Sequence, residues 1–459
     1  MRSCPARHNA GQASSKALVE TIALKETDEL LPRHRAVRLS PYAPASREGG
    51  GEQVSLLRFP YPYRAMVAVC SDLDSTPDWQ TYWLIVKFLN TTASTSMGHG
   101  VGLEVGNSIY FDMPPNECAY WNTDDAGRDM FRTLMRSGHI DCLHSYGGLA
   151  TTRDHARRAL DELARHGCRL SVWVDHGRSP TNFGPDIMHG HGDETGHAAY
   201  HADLTVDHGI RYVCRGRATS VIGQDAPPRI GGIFTARHPL RSCKTAAKEL
   251  VKRALAHGGS AKYAMHAGNR ALRLASLRDG RRVWEFLRSN PHWGGISCCD
   301  TASGLGEVVT DEMLDLLVAR QGVCILYTHL GKVNDAQQPF PAATRQALQR
   351  LASYHRDGKV LVTTTHRLLR YLALRESMRY QAEHVGDSVV ITIESMAEPI
   401  EGTRSPRLEE VQGITFEVPR KLPVKLRLGG LGEVPFRLTQ AGDSVFVTIP
   451  WKFLVFPAR

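Results

Sequence analysis

Residues 65–76 read "AMVAVCSDLDST", an apolar run that stops abruptly in two carboxylates two positions apart. A strand that buries Val67, Val69 and Cys70 and then delivers Asp72 and Asp74 at its exit is the simplest reading. In an extended segment residues i and i+2 point the same way, so the two acids are expected to project together. Like charges that close are costly unless a cation, a shared proton or open water relieves them.

Working outward, short apolar runs alternate with helical-period segments from about residue 58 to 378. Candidate strands are 65–71, 93–98, 140–145, 170–175, 210–215, 295–300, 323–328 and 359–364. Between them, "TTRDHARRALDELARHG" (151–167) places apolar residues at 156, 159, 160 and 163, with Gly167 as a stop. "TDEMLDLLVARQG" (310–322) repeats the device, with Thr310 as N-cap and Gly322 as terminator, and "PAATRQALQRLASYHRDG" (341–358) does so again. Strand–helix alternation predicts parallel strands joined by crossover helices. The expected fold class is α/β, a distorted (β/α)7-8 barrel. After about residue 379 the texture changes to polar–apolar alternation, as in "DSVVITIES" and "DSVFVTIPW". That predicts a small all-β module, a sandwich of antiparallel strands over 379–459. Residues 1–57 are polar and rich in Arg, Ser, Pro and Gly, and read as a loosely ordered leader with a short helix at "LVETIALKETDELL".

The chain of 459 residues is 42% hydrophobic and 22% charged, the make-up of a globular protein. Its net charge of +9 comes from Arg spread along the length, with no dense basic block, so no nucleic-acid partner is expected. No run of about 18 apolar residues predicts a membrane span, and no secretory segment opens the chain. Ten cysteines without a CxxC pair or zinc-finger spacing read as free, mostly buried thiols of a cytoplasmic protein.

Polar ionisable groups recur where the candidate strands stop. These are Asp72 and Asp74, then His99, then His144, then Asp175, His176, Arg178 and Asn182, then Arg215 and Arg217, then Asp300, then His329. In a barrel of parallel strands the active site is built at such ends. Carboxylate and imidazole donors together suit a divalent transition metal, Zn²⁺ first. Of the histidines in "DIMHGHGDETGHAAYH" (186–201), His189, His191 and His197 fit a flexible lid, while His201 and Asp203 are placed within reach of a substrate. Trp79 is read as a sugar-stacking ring and Trp173 as core.

The order of these motifs resembles the polysaccharide deacetylase family, the NodB-homology or carbohydrate esterase family four type, over about residues 60–375. The family closes its first strand with an acidic pair, a general base and then a metal ligand. "SDLD" resembles the variant with one residue between them, which makes Asp72 the base and Asp74 the ligand. "GHIDCLHSYGG" resembles the next motif and makes His144 a ligand. "ILYTHLG" resembles the strand carrying the general acid, which points to His329, and "VTTTHRLLRYL" the last strand and helix. "GRSP" resembles the arginine–proline motif through Arg178. The family's second ligand His falls where this chain has Gly148. His139 would lie on the opposite face of its strand, so His176 is the replacement. Either Asp74, His144 and His176 hold the metal, or the site has lost it.

The resemblance implies a metal-dependent hydrolase removing an acyl group from a carbohydrate, with Arg178, Asn182, His201 and Asp300 binding the substrate. The rival from another class is a non-catalytic carbohydrate-binding protein of a polysaccharide assembly system. A third reading is glycosidic cleavage by paired carboxylates. Each residue also has a plain structural role open to it: Asp74 as a turn starter in "DSTPDW", the histidines as satisfied rim residues, and Arg178 with Asp300 as an ion pair.

Overall fold

The computed structural model describes residues 54–458, apart from 185, 186, 189 and 419–421. The helix expected in "LVETIALKETDELL", the bulk of the leader and His189 lie outside the described residues.

The first run of apolar residues forms β1, Ala65–Ser71, and every one of its side chains is buried. It lies inside a sheet between two parallel neighbours, which is why the run is continuous rather than alternating. The further strands of the α/β part are β2 Ser108–Ile109, β3 Cys142–His144, β4 Val172–Val174, β5 Tyr212–Cys214 and β6 Ala218–Thr219. They continue with β7 Leu272–Ser276, β8 Arg282–Phe286, β9 Arg288–Ser289, β10 Val323–Thr328 and β11 Val360–Val362. One sheet has the order β7-β8-β5-β4-β3-β2 and the other β11-β1-β10-β9-β6. Pairing is parallel throughout except between β7 and β8. β8 runs through Leu287 into β9, so one stretch of chain serves both sheets.

Some of the helices start where a side chain satisfies a free amide. Asp78 accepts from Thr81 N at 2.6 Å to open Trp79–Asn90. Thr310 accepts from Met313 N to open Asp311–Ala319. The helix Arg153–Arg165 turns Ala156, Ala159, Leu160 and Leu163 inward, and Ala342–Arg356 follows later in the chain.

Two expected strands are displaced. Residues 93–98 belong to a small hairpin of Ser94–Thr95 with Gly98–His99, and the sheet takes Ser108–Ile109 instead. Residues 295–300 form turns, and the strand there is β9. The cause is charge: "VWEFLRS" carries Glu285 and Arg288, which interrupt its apolar run but are neutralised in the fold by Arg215, Arg273 and Asp72.

The C-terminal residues form strands as expected. Ser388–Glu398 pairs antiparallel with Met378–Val385 but parallel with Val424–Leu428, so this sheet is mixed. A second sheet joins Thr415–Val418, Ser444–Thr448 and Arg437–Ala441 to Ser55–Leu56, the end of the expected leader. Ile391, Ile393, Phe416 and Val447 pack in one cluster with Leu369 and Tyr371 of the helix Thr365–Ser377 and with Met66 and Ala68 of β1. Among the described residues no helix is long and apolar enough to cross a membrane.

Candidate metal centre

Parallel strands expose their carboxyl ends along one edge, and that edge collects the ionisable groups. His144 ends β3, His176 follows β4, Asp72 and Asp74 follow β1, and His329 follows β10. The Asp72 amide still donates to Thr328 O at 2.9 Å, so the ladder holds the acid pair in register with the strand carrying His329.

Asp74 is the centre. His176 Nε2 lies 3.0 Å from its Oδ1, and His144 Nε2 lies 3.2 Å from its Oδ2. His329 Nε2 stands 4.0 Å from the same Oδ2. Burial pushes the Asp74 carboxyl up, but the two imidazoles outweigh it and hold the group below the usual carboxylate range. The cap of the following helix is Asp78, so the Asp74 carboxylate is not spent on capping it.

The tautomers follow from the second nitrogens. A carbonyl only accepts, so His144 donates from Nδ1 to Val174 O at 3.2 Å. His329 likewise donates from Nδ1 to Asp300 O at 2.9 Å. In neutral His144 the Nε2 lone pair would then face a carboxylate oxygen. That contact needs positive charge between the two atoms, either a second proton or a cation. Burial pushes the His144 imidazole down, and the Asp72 and Asp74 carboxylates override this and raise it to about 9.

Asp72 is nearly enclosed, and its Oδ1 accepts from Arg288 at 2.6 Å. The guanidinium lies 4.4 Å from the centroid of the Tyr327 ring. Arg288 escaped the sequence reading because its strand was misplaced; a lone arginine in "EFLRS" was the available signal. Tyr110, whose ring centroid lies about 6 Å from those of His144 and His176, was missed as well.

His176 is held by its own loop. Its amide donates to Asn182 Oδ1 at 2.9 Å, and Asn182 Nδ2 donates back to its carbonyl. Asn182 is buried and clasps His176, where the sequence suggested substrate contact. Asp175 accepts from Trp173 Nε1 at 2.7 Å and from Phe183 N at 2.9 Å. Burial pushes the Asp175 carboxyl up to about 7. A Cβ added to Gly148 would meet the His176 ring at 3.6 Å. The imidazole from the next strand therefore borders the space a side chain at 148 would enter.

The remaining expectations fall elsewhere. His201 is fully buried, bonded through both nitrogens to Thr205 Oγ1 and Thr181 O, and packed against Trp173 and Phe183. It cannot line a rim, because aromatic rings and its helix enclose it. Asp203 pairs with Arg153 at 2.6 Å. Arg178 is exposed with φ of 65° and has no side-chain partner among the described residues. Asp300 lies beside His329, its Oδ2 4.0 Å from Nδ1. His139 packs on Phe456, and His99 sits on the exposed hairpin.

The donor set fits a metal. Asp74, His144 and His176 bring one ligand atom each within 4.8 Å of one another, as do Asp72, Asp74 and His329. The buried His176 Nδ1 has no hydrogen-bond partner among the described residues. One carboxylate and two imidazoles converging at strand ends can hold a divalent ion and leave positions for solvent or substrate. In comparisons with known proteins, no family model, no curated protein and no solved structure matches the chain.

Proposed function

We propose that the chain is a metal-dependent hydrolase that removes an acyl group, acetyl in the simplest case, from a carbohydrate. The observation carrying this reading is Asp74 held between two imidazole Nε2 atoms, with Asp72 and His329 beside it. The sugar rests on the motif resemblance. Two sheets sharing the β8–β9 stretch are in keeping with a distorted barrel of seven or eight strands. The free described cysteines fit a reducing compartment such as the cytoplasm.

Asp74, His144 and His176 would hold the ion, Zn²⁺ first by donor type. Such an ion lowers the pKa of bound water and polarises an acyl carbonyl. Asp72 Oδ1 is occupied by Arg288, which leaves Oδ2 to accept the proton of the attacking water. His329, its Nδ1–H fixed on Asp300 O, presents Nε2 to protonate the departing amine or alkoxide. Asn182 keeps His176 in place through the backbone, and Arg288 keeps Asp72 turned towards the site.

The test is metal content by mass spectrometry beside turnover of acetylated sugars. His176→Ala should lose the ion at this site. Asp72→Asn should keep it while turnover drops by about 10²–10⁴, the usual worth of a general base. A wild type that takes up no ion at these residues after reconstitution would favour a non-catalytic carbohydrate-binding protein. Full activity in Asp72→Asn would remove the base assignment.

A further inference from the structure

The loop between β9 and the short helix Leu305–Val308 gathers a second set of soft ligands that shares no residue with the Asp74 set. Its sequence is "NPHWGGISCCDTASG", residues 290–304. His292, Cys298 and Cys299 each bring one ligand atom within 4.8 Å of the others. The two sulfurs stand 3.8 Å apart. Tetrahedral metal–thiolate bonds of about 2.3 Å place two sulfurs about 3.8 Å apart, so this pair already has the separation of co-ligands.

The loop is shaped to allow it. Adjacent side chains of an extended chain point to opposite sides. Cys299 instead has φ of 60°, a left-handed conformation that few residues other than glycine adopt. A Cβ on Gly294 would come within 2.6 Å of Cys298 Sγ and 3.0 Å of His292 Nδ1, so glycine there lets sulfur and imidazole share one space. Gly304 is required in the same way, since a Cβ would lie 2.4 Å from Cys299 Cα. Asn290 Nδ2 donates to Ile296 O and Cys298 O, at 2.8 and 3.0 Å, and closes the loop.

His292 is oriented for ligation. Its side chain is 1% exposed. Nδ1 accepts from Gly294 N at 3.0 Å, so the lone pair is on Nδ1 and the proton on Nε2. Among the described residues that Nε2 has no hydrogen-bond partner, and it lies 3.5 Å from the exposed carboxylate of Glu307. A metal-bound imidazole commonly donates its other N–H to such a carboxylate. His292 and Glu307 also line a cavity of about 620 Å³, and Cys298 and Cys299 are themselves partly exposed.

We propose that His292 Nδ1, Cys298 Sγ and Cys299 Sγ form a second divalent-metal site, matched to Zn²⁺ by its thiolates, with one position open to solvent. Binding deprotonates the two thiols and releases both protons to solvent, and the Gly294 amide exchanges its contact with Nδ1 for water. The site clamps the chain next to Asp300, whose carbonyl takes both the Nδ1–H and the backbone N–H of His329. It shares no ligand with the Asp74 centre, which contains no sulfur.

Cobalt(II) distinguishes the two. Wild-type protein loaded with Co²⁺ should show thiolate-to-cobalt charge-transfer absorption, which His176→Ala keeps and Cys298→Ser/Cys299→Ser loses. Zinc content should fall by about one equivalent in the double serine variant. The wild type itself provides a check free of folding effects: Zn²⁺ should shield Cys298 and Cys299 from alkylation, read by peptide mass. The proposal is overturned by a cobalt spectrum without a sulfur band, by a band that survives the double variant, or by unchanged alkylation with zinc. A reduced preparation whose mass shows a Cys298–Cys299 disulfide would overturn it too.

Discussion

Arg288 and Asp72 are each 5% exposed and joined at 2.6 Å, so removing either charge alone takes from the other its nearest compensating partner. Arg288→Met should therefore cost about 3–5 kcal/mol of stability in urea unfolding, and Asp72→Asn in the same chain should return most of it. If the double variant is as unstable as the single, the cost lies in packing on Tyr327 rather than in the stranded charge. Gly148 carries a second residue-scale prediction. Because its Cβ would abut the His176 ring, Gly148→His should restore metal binding to a His176→Ala chain. Isothermal titration with Zn²⁺ in a Cys298→Ser/Cys299→Ser background checks it: an affinity no better than that of His176→Ala in the same background would show that position 148 does not reach the centre.

At the scale of elements, Asp141 joins two of them. It sits just before β3, and its Oδ2 accepts from His366 N at 2.7 Å, in the first turn of Thr365–Ser377. Burial pushes its carboxyl up to about 7. The native state thus holds a proton that the unfolded chain, with a carboxyl near about 3.9, has released. Stability should accordingly fall as pH rises from about 4 to 7, by up to about 1.4 kcal/mol per pH unit from this group. Asp141→Asn keeps an acceptor for His366 N and should flatten that slope, leaving the similar contribution of Asp175. Urea midpoints across this range measure it, and an unchanged slope would mean that Asp141 is already ionised in the native state. The helix N-caps at Asp78 and Thr310 belong to the same scale, each satisfying an end that packing alone leaves open.

For the whole molecule, the C-terminal strands share one apolar cluster with β1 and with the helix Thr365–Ser377. Removing residues 386–459 would take Ile391, Ile393, Phe416 and Val447 out of the cluster that holds Leu369 and Tyr371. The truncated chain should lose cooperative thermal unfolding; a fragment that still melts in one sharp transition by circular dichroism would show an independent α/β core. Ser55–Leu56 adds a strand to the same C-terminal assembly, so segments far apart in sequence meet in one sheet.

The residues themselves determined the strand Ala65–Ser71, the acid pair at its end, and the helices at 153–165 and 311–319. Each rests on local periodicity and on end signals such as Thr310, which neighbouring residues suffice to define. The convergence of His144, His176 and His329 on Asp74 followed from the same rule, because parallel strands bring their carboxyl ends to one edge. Only the tertiary structure decided what lies beside them. Arg288 and Glu285 interrupt an apolar pattern, and their burial is legible only once Asp72, Arg215 and Arg273 are seen to neutralise them. His201 looked like a site residue from its neighbours in sequence, but partners at 181 and 205 and rings at 173 and 183 enclose it. Charge compensation and enclosure act between residues distant in the chain, so no local pattern encodes them.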